Sequence, residues 1–234
     1  MAATSELARV PGFEQLDANE LAQLEALAQK KRYPANTAIF FQDDPADALY
    51  ILLSGTAKAF QTSEDGKDRI VRILKPGHAF GELAMIAEKP RLLTVQTLDD
   101  CEMLRLPKKE FYDFADKHTW VLWTMLRAFA NRIAEMNADI LEMSYRDVPY
   151  RLLRAISDFA TKHGEPGAGG ATRITTPMRE EDLAALIGAD LRTVSRLLEQ
   201  YETEGVITRT KAEWTVPDAD GLRRTLQYMI QQGV

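Results

Sequence analysis

One cysteine, Cys101, and three histidines, His78, His118 and His163, are all that this 234-residue chain has of those residue types. A lone thiol excludes an internal disulfide and a cysteine-rich metal site. The histidines are scattered with no ligand spacing, so no metal cofactor is expected. No stretch approaches the ~20 consecutive apolar residues that a membrane span needs. No basic-then-apolar leader opens the sequence, which points to a cytoplasmic protein with no membrane partner. No nucleophile–base pair stands out, so an enzyme is not expected. Positive charge is not in excess either. The net charge is −6, divided as −5 through Tyr145 and −1 beyond it. A net-acidic chain is a poor non-specific binder of nucleic acid, so any DNA site has to be local.

What is present changes period along the chain. Ser5 to Arg32 is amphipathic at helical spacing, with Asp17 placed to cap the helix. From Tyr33 to Leu106 short β-branched and apolar runs follow one another. They are Thr37–Phe41, Ala48–Leu53, Thr56–Phe60, Arg69–Leu74, Leu93–Leu98 and Cys101–Leu106, separated by Gly55, Gly66, Gly77 and Asp99-Asp100. Regular short strands with turn signals predict a barrel, jelly roll or sandwich. Helical spacing then returns. Leu122, Leu126, Phe129, Ile133, Met136, Ile140 and Met143 alternate gaps of four and three, the seam of a coiled coil and so of a homodimer. Asp147 and Pro149 open the next helix, and Gly164 to Gly170 reads as a flexible connector. Thr176-Pro177 is a further helix start. Asp182–Gly188, a turn at Ala189-Asp190 and Leu191–Glu204 make a helix-turn-helix. Val194, Leu197, Leu198 and Tyr201 form the inward stripe of its second helix, which leaves Arg192, Ser195, Arg196 and Glu199 outward. Arg209–Val216 reads as a small β-wing.

The chemistry concentrates between Gly77 and Val95. Gly81 permits close approach of a ligand. Glu82 is an acceptor suited to sugar hydroxyls. Arg91 offers a planar fork of donors matched to a phosphate. One acid and one arginine nine residues apart suggest a sugar phosphate held in a β-roll. Gly-Glu-Leu-Ala followed by Pro-Arg-x-x-Thr-Val resembles the phosphate-binding cassette of cyclic-nucleotide-binding domains. Thr-Val-Ser-Arg-Leu-Leu resembles recognition helices of the catabolite-activator and fumarate–nitrate reductase regulator family.

That resemblance implies an α+β fold in three parts. Residues 1–118 would be the sensory β-roll, 119–145 a dimerisation helix and 146–234 a winged helix-turn-helix domain. It implies a homodimeric bacterial transcription regulator, controlled allosterically by cyclic AMP or cyclic GMP, with cyclic AMP favoured. Double-stranded DNA with a pseudo-palindromic operator and RNA polymerase are the implied partners. Glu82 would take the ribose 2'-hydroxyl and Arg91 the cyclic phosphate. Gly81, Leu83, Ala84, Leu92 and Leu93 would offer backbone groups, and Asn137 would meet the base. Arg192, Thr193, Ser195, Arg196, Arg209 and Lys211 would face DNA. Four departures matter: Gln42-Asp43-Asp44-Pro45 stand in the turn where the family usually has a glycine, Leu92 where the enteric activator has a serine hydroxyl, Met136 and Asn137 where it has two neighbouring hydroxyl residues on the long helix, and Arg192 where a glutamate is usual. The alternatives are a same-fold regulator that binds DNA without ligand, one that senses redox state or gas with His78 as the sole haem ligand in the barrel, and a nucleotide-gated interaction module with no DNA role.

Overall fold

The computed structural model describes Leu7 and residues 17–175, 178–210 and 213–232, with side chains at all of these but 135, 138, 139, 141–144 and 232. The chain divides into two compact units, Met1–Glu135 and Met136–Val234.

In the first unit, helix α1 (Ala18–Leu27) begins as its sequence predicts. Asp17 accepts from the amides of Asn19 and Glu20, and Glu20 reaches back to the Asp17 amide, a complete capping box. The predicted helical segment ends at Leu27 and does not reach Arg32. Gln29–Tyr33 is instead strand β1, antiparallel to β8 (Cys101–Pro107). Its charged side chains carry no period, and backbone pairing with β8, together with Glu102 bridging Lys30 and Arg32, draws it into the sheet. The remaining strands are β2 (Ala38–Phe40), β3 (Ala48–Ser54), β4 (Ala57–Thr62), β5 (Asp68–Leu74), β6 (Ala79–Phe80) and β7 (Thr94–Thr97). All the predicted runs form strands, and the two-residue β6 is additional. They make two four-stranded sheets, β1-β8-β3-β6 and β2-β7-β4-β5. A core of Ala48, Tyr50, Leu52, Ala57, Ala59, Leu74, Phe80 and Met103 lies on the inward faces.

Helix α2 (Glu82–Ile86) follows β6, and α3 (Lys108–Ala115) packs on a second cluster with Leu21, Leu24 and Phe111. The long helix α4 spans Trp120–Tyr145. Along it Leu122, Leu126, Ile133, Met136 and Ile140 are between 44% and 61% exposed, and Phe129 is half-buried. The side chain of Met143 lies outside those described. No helix among the described residues is long and apolar enough to cross a membrane.

In the second unit α5 (Val148–His163) is capped by Asp147, whose carboxylate accepts from the Tyr150 amide at 2.9 Å. The stretch after it is not a free connector: β9 (Gly164–Pro166) pairs with β10 (Thr172–Ile174). Gly164 is there for space, because a Cβ would lie 2.1 Å from both the Ala160 carbonyl oxygen and Thr172 Cγ2. Helices α6 (Glu180–Ile187) and α7 (Leu191–Thr203) form the helix-turn-helix, joined through Gly188 at φ 64°. The predicted start at Thr176-Pro177 lies outside the described residues. Strands β11 (Thr208–Arg209) and β12 (Trp214–Val216) make the wing, and α8 (Ala219–Gln232) ends the unit.

Candidate functional site

Arg91 is the centre of the barrel site. A side chain this large and charged is rarely interior without partners, yet Arg91 is 2% exposed. Its Nη1 donates to the Gly81 carbonyl at 2.7 Å, and Nη2 to the Ala48 carbonyl at 2.7 Å. Asp47 Oδ1 lies 3.4 Å from Nη2, while Asp47 Oδ2 holds Arg105 at 2.6 Å. The guanidinium lies 4.2 Å from the centre of the Phe40 ring, within an aromatic group completed by Tyr50 and Phe80. Burial pulls the guanidinium below its usual pKa, opposed by Tyr50 and Asp47. An arginine remains cationic even so. Its backbone is held by the turn before β3. The Arg91 amide donates to Asp44 O at 2.8 Å, and Arg91 O accepts from the Asp43 amide at 2.9 Å. That turn needs a left-handed residue, which aspartate tolerates better than most, and Asp43 supplies it at φ 69°.

Gly81 caps α2 at φ 84°, and a Cβ there would lie 2.7 Å from Arg91 Nη1. Glycine is therefore what lets the arginine reach its carbonyl. Glu82 is the first residue of α2. Burial pushes its carboxyl above the usual carboxylate range, against the opposing pull of its own amide, Arg72 and Arg91. Two buried atoms in this site have no hydrogen-bond partner among the described residues: Glu82 Oε2, an acceptor, and Arg91 Nε, a donor. Ala84 is buried, Leu93 packs on the inner core, and Leu83 and Leu92 are each 49% exposed. Asn137 is exposed on α4, in the second compact unit. Sequence reasoning did not find Asp47, Ala48 or the Phe40–Tyr50–Phe80 group. Asp47, Ala48, Phe40 and Tyr50 lie more than forty residues before the arginine, and no local pattern links them to it.

In the second unit the inward stripe of α7 is as predicted, with Val194, Leu197, Leu198 and Tyr201 at most 6% exposed. The outward face divides in two. Arg192 and Arg196 are exposed, and neither side chain makes a hydrogen bond or ion pair among the described residues. Thr193 Oγ1 donates to the cap Asp190 at 2.5 Å. Ser195 Oγ donates to Glu180 Oε2 on α6. The other Glu180 oxygen takes Arg209 Nη1 at 2.7 Å, and Arg209 Nη2 reaches Glu202 at 2.6 Å. Arg209 also lies over the Trp214 ring. Its hydrogen bond holds the Glu202 carboxyl below the usual range. Thus α6, α7 and the wing meet at Arg209. Lys211 lies outside the described residues.

The family description "Cyclic nucleotide-binding domain" matches residues 30–118, and "Crp-like helix-turn-helix domain" matches 150–225. A CRP-like cAMP-activated global transcriptional regulator of Mycobacterium tuberculosis is 26% identical over 218 residues, covering 93% of this chain and 97% of that one. The cyclic AMP receptor protein of Thermus thermophilus is 28% identical over 197 residues, covering 84% and 88%. The structure of a c-di-GMP-responsive global regulator of Xanthomonas campestris superposes with a TM-score of 0.74 at 20% identity, over 84% of this chain and 98% of that one, a likeness of fold. A barrel that holds an acid and an arginine, a helix-turn-helix with a wing, and both family matches lead to one conclusion: the chain belongs to the CRP/FNR family of DNA-binding transcription regulators, with a cyclic-nucleotide-binding domain.

Proposed function

We propose that this regulator works as a homodimer whose DNA binding is set by a cyclic nucleotide, cyclic AMP first among them. One observation carries the ligand half. Glu82 Oε2 and Arg91 Nε are a buried acceptor and a buried donor left unpaired in one site. Leaving such atoms unsatisfied costs about 1–3 kcal/mol each. A ribose hydroxyl donating to Glu82 and a cyclic phosphate oxygen accepting from Arg91 would satisfy both. Backbone groups of Gly81, Leu83, Ala84, Leu92 and Leu93 would close the cradle, and Asn137 would offer an amide to the base. The M. tuberculosis and T. thermophilus relatives, both named for cyclic AMP, support that choice.

The apolar seam of α4 supports the dimer. Five large side chains, Leu122, Leu126, Ile133, Met136 and Ile140, stand in water on one chain at coiled-coil spacing. The parts would be a sensory domain over residues 1–118, a dimer helix over 119–145 and a DNA-binding domain over 146–234. Two recognition helices about one DNA turn apart would read a pseudo-palindrome. Arg192 and Arg196 would contact bases or phosphates, while Thr193, Ser195 and Arg209 hold the recognition helix and wing in place. The nucleotide can shift the dimer toward its DNA-binding form only by its differential affinity for the two forms. RNA polymerase is the proposed downstream partner.

Calorimetric titration of the protein with cyclic AMP and cyclic GMP, beside Arg91→Ala, tests the ligand half. Micromolar binding that falls at least about 100-fold in the variant is the expected result, since the charged donor to the phosphate is removed. No heat with either nucleotide would leave a DNA-binding protein whose Glu82 and Arg91 serve another signal.

A further inference from the structure

Beside Arg91 stands a second arginine that the cassette does not include. On β8, Arg105 pairs directly opposite Tyr50 of β3, and Met103, two residues before it, belongs to the inner core. Residues opposite each other across an antiparallel pair share a face, as do residues two apart on one strand. Arg105 therefore rises from the inner face of the first sheet, next to the aromatic side chains that meet Arg91. It is half-buried, where Arg91 is enclosed.

One carboxylate joins the two arginines. Asp47 Oδ2 accepts from Arg105 Nη2 at 2.6 Å, and Asp47 Oδ1 lies 3.4 Å from Arg91 Nη2. The first is a hydrogen bond between charges and the second a looser contact. Asp47 is otherwise an exposed side chain, so its bond to Arg105 decides where the carboxylate lies.

The consequence is electrostatic. Nη1 and Nη2 of Arg91 are taken by the Gly81 and Ala48 carbonyls, which leaves Nε as the unpaired donor. An anion brought to Nε enters ground that already holds acids. Asp47 and Asp44 both act on the Arg91 guanidinium, and Arg105 is the cation that acts there against them. Without Arg105 the charges of Arg91 and Asp47 cancel, and a cyclic phosphate meets a neutral pair. With it, two guanidiniums and one carboxylate leave a positive charge over. A like charge a few ångströms away disfavours a second anion, and a cation beside it removes that penalty.

We infer that Arg105 is a positioning residue for the anion: it holds Asp47 aside and offsets its charge, so that Arg91 meets a cyclic phosphate as a net cation. This rests on the cyclic-nucleotide reading above and deepens it. Arg105 acts through Asp47 and itself touches no phosphate.

The test is calorimetric titration of the full chain, of Arg105→Gln, and of Arg105→Gln combined with Asp47→Asn, using cyclic AMP and cyclic GMP, with circular dichroism to verify folding. Arg105→Gln is expected to weaken binding of the nucleotide that the unaltered chain takes by about 10-fold or more, because Asp47 is then an unopposed like charge. Adding Asp47→Asn is expected to restore binding to within about threefold of the unaltered chain, since the charge that Arg105 offsets is gone. A double variant as weak as Arg105→Gln alone would mean that Arg105 donates to the phosphate directly or props the barrel, and overturns the inference. Full binding by Arg105→Gln overturns it as well. If the unaltered chain binds neither nucleotide, the cyclic-nucleotide reading fails at its root and this inference with it.

Discussion

The two units put their arginines to opposite uses. In the barrel, Arg91 is enclosed, its fork fixed by the Gly81 and Ala48 carbonyls before any ligand arrives. On the recognition helix, Arg192 and Arg196 stand in water and hold nothing. A small ligand has little surface with which to order a site, so its site has to be built in advance. DNA brings a dense row of charges and can order a mobile side chain as it docks. On the proposed roles, the difference teaches that burial of an arginine here follows the size of what it would meet. Arg209 shows the intermediate case: an exposed-looking wing cation in sequence, it is 16% exposed in the fold and committed to two carboxylates.

Three measurements would break or sharpen this contrast. The largest effect is expected at Arg91, whose loss should damage fold as well as function. Removing it leaves two buried carbonyls without their donor, so Arg91→Ala should lower the stability of the barrel unit by roughly 3 kcal/mol in urea denaturation. Arg196→Ala should change stability by less than about 0.5 kcal/mol, as is usual for an exposed side chain with no partner. A barrel as stable without Arg91 as with it would erase the distinction.

A second expectation separates the arginines within the DNA-binding unit. Arg196→Ala should weaken operator binding by about 1–3 kcal/mol, and should reduce the slope of affinity on salt if its contact is with a phosphate. Arg209→Ala should leave that slope unchanged, because its charge is already matched by Glu180 and Glu202. Its cost should appear as a lower melting temperature of the wing and helix-turn-helix. A salt slope reduced by about one in Arg209→Ala would return the residue to the phosphate backbone.

The smallest expected effect is one of pH. Burial holds the Glu82 carboxyl above its ordinary value of 4.5. A carboxylate with a raised pKa binds its proton more readily, so the ionised form is lost first as the solution is acidified. In the proposed complex the ribose hydroxyl would donate to that ionised form. Nucleotide affinity should therefore fall with decreasing pH, beginning above the range of an exposed glutamate, and Glu82→Gln should flatten the profile. The sign for stability is opposite: the fold gains from this group as pH falls through the raised pKa, because protonation removes a buried charge. An affinity profile with the same pH dependence in the unaltered protein as in Glu82→Gln would argue against the ribose contact.

Much of this architecture was legible in the sequence because its signals are local. The β-strands between Thr37 and Leu106 showed a change of period and turn residues at each end. The Asp17 and Asp147 caps and the inward stripe of α7 were equally plain. β1 was not, because five mostly charged residues are ordered only by pairing with a strand seventy positions later. The Gly164–Gly170 stretch misled for the converse reason. Its glycines resemble a linker's, yet Gly164 is small so that β9 can lie against Ala160 and Thr172. In the site, Glu82 and Arg91 stand out by chemistry and spacing. Asp47, Ala48 and Phe40 do not, because nothing local links them to the arginine.

Cys101 carries a practical consequence. Its thiol is 2% exposed, its Sγ lies 3.3 Å from the Thr56 carbonyl oxygen, and burial pushes its pKa up to about 12. At neutral pH almost no thiolate exists there to react. The natural chain is thus a chemically silent background for labelling. A cysteine placed on the solvent face of α7 or of α4 should take a fluorophore or spin label alone, with the native thiol left in place, so that distances between the two copies of the proposed dimer can be followed as nucleotide or DNA is added.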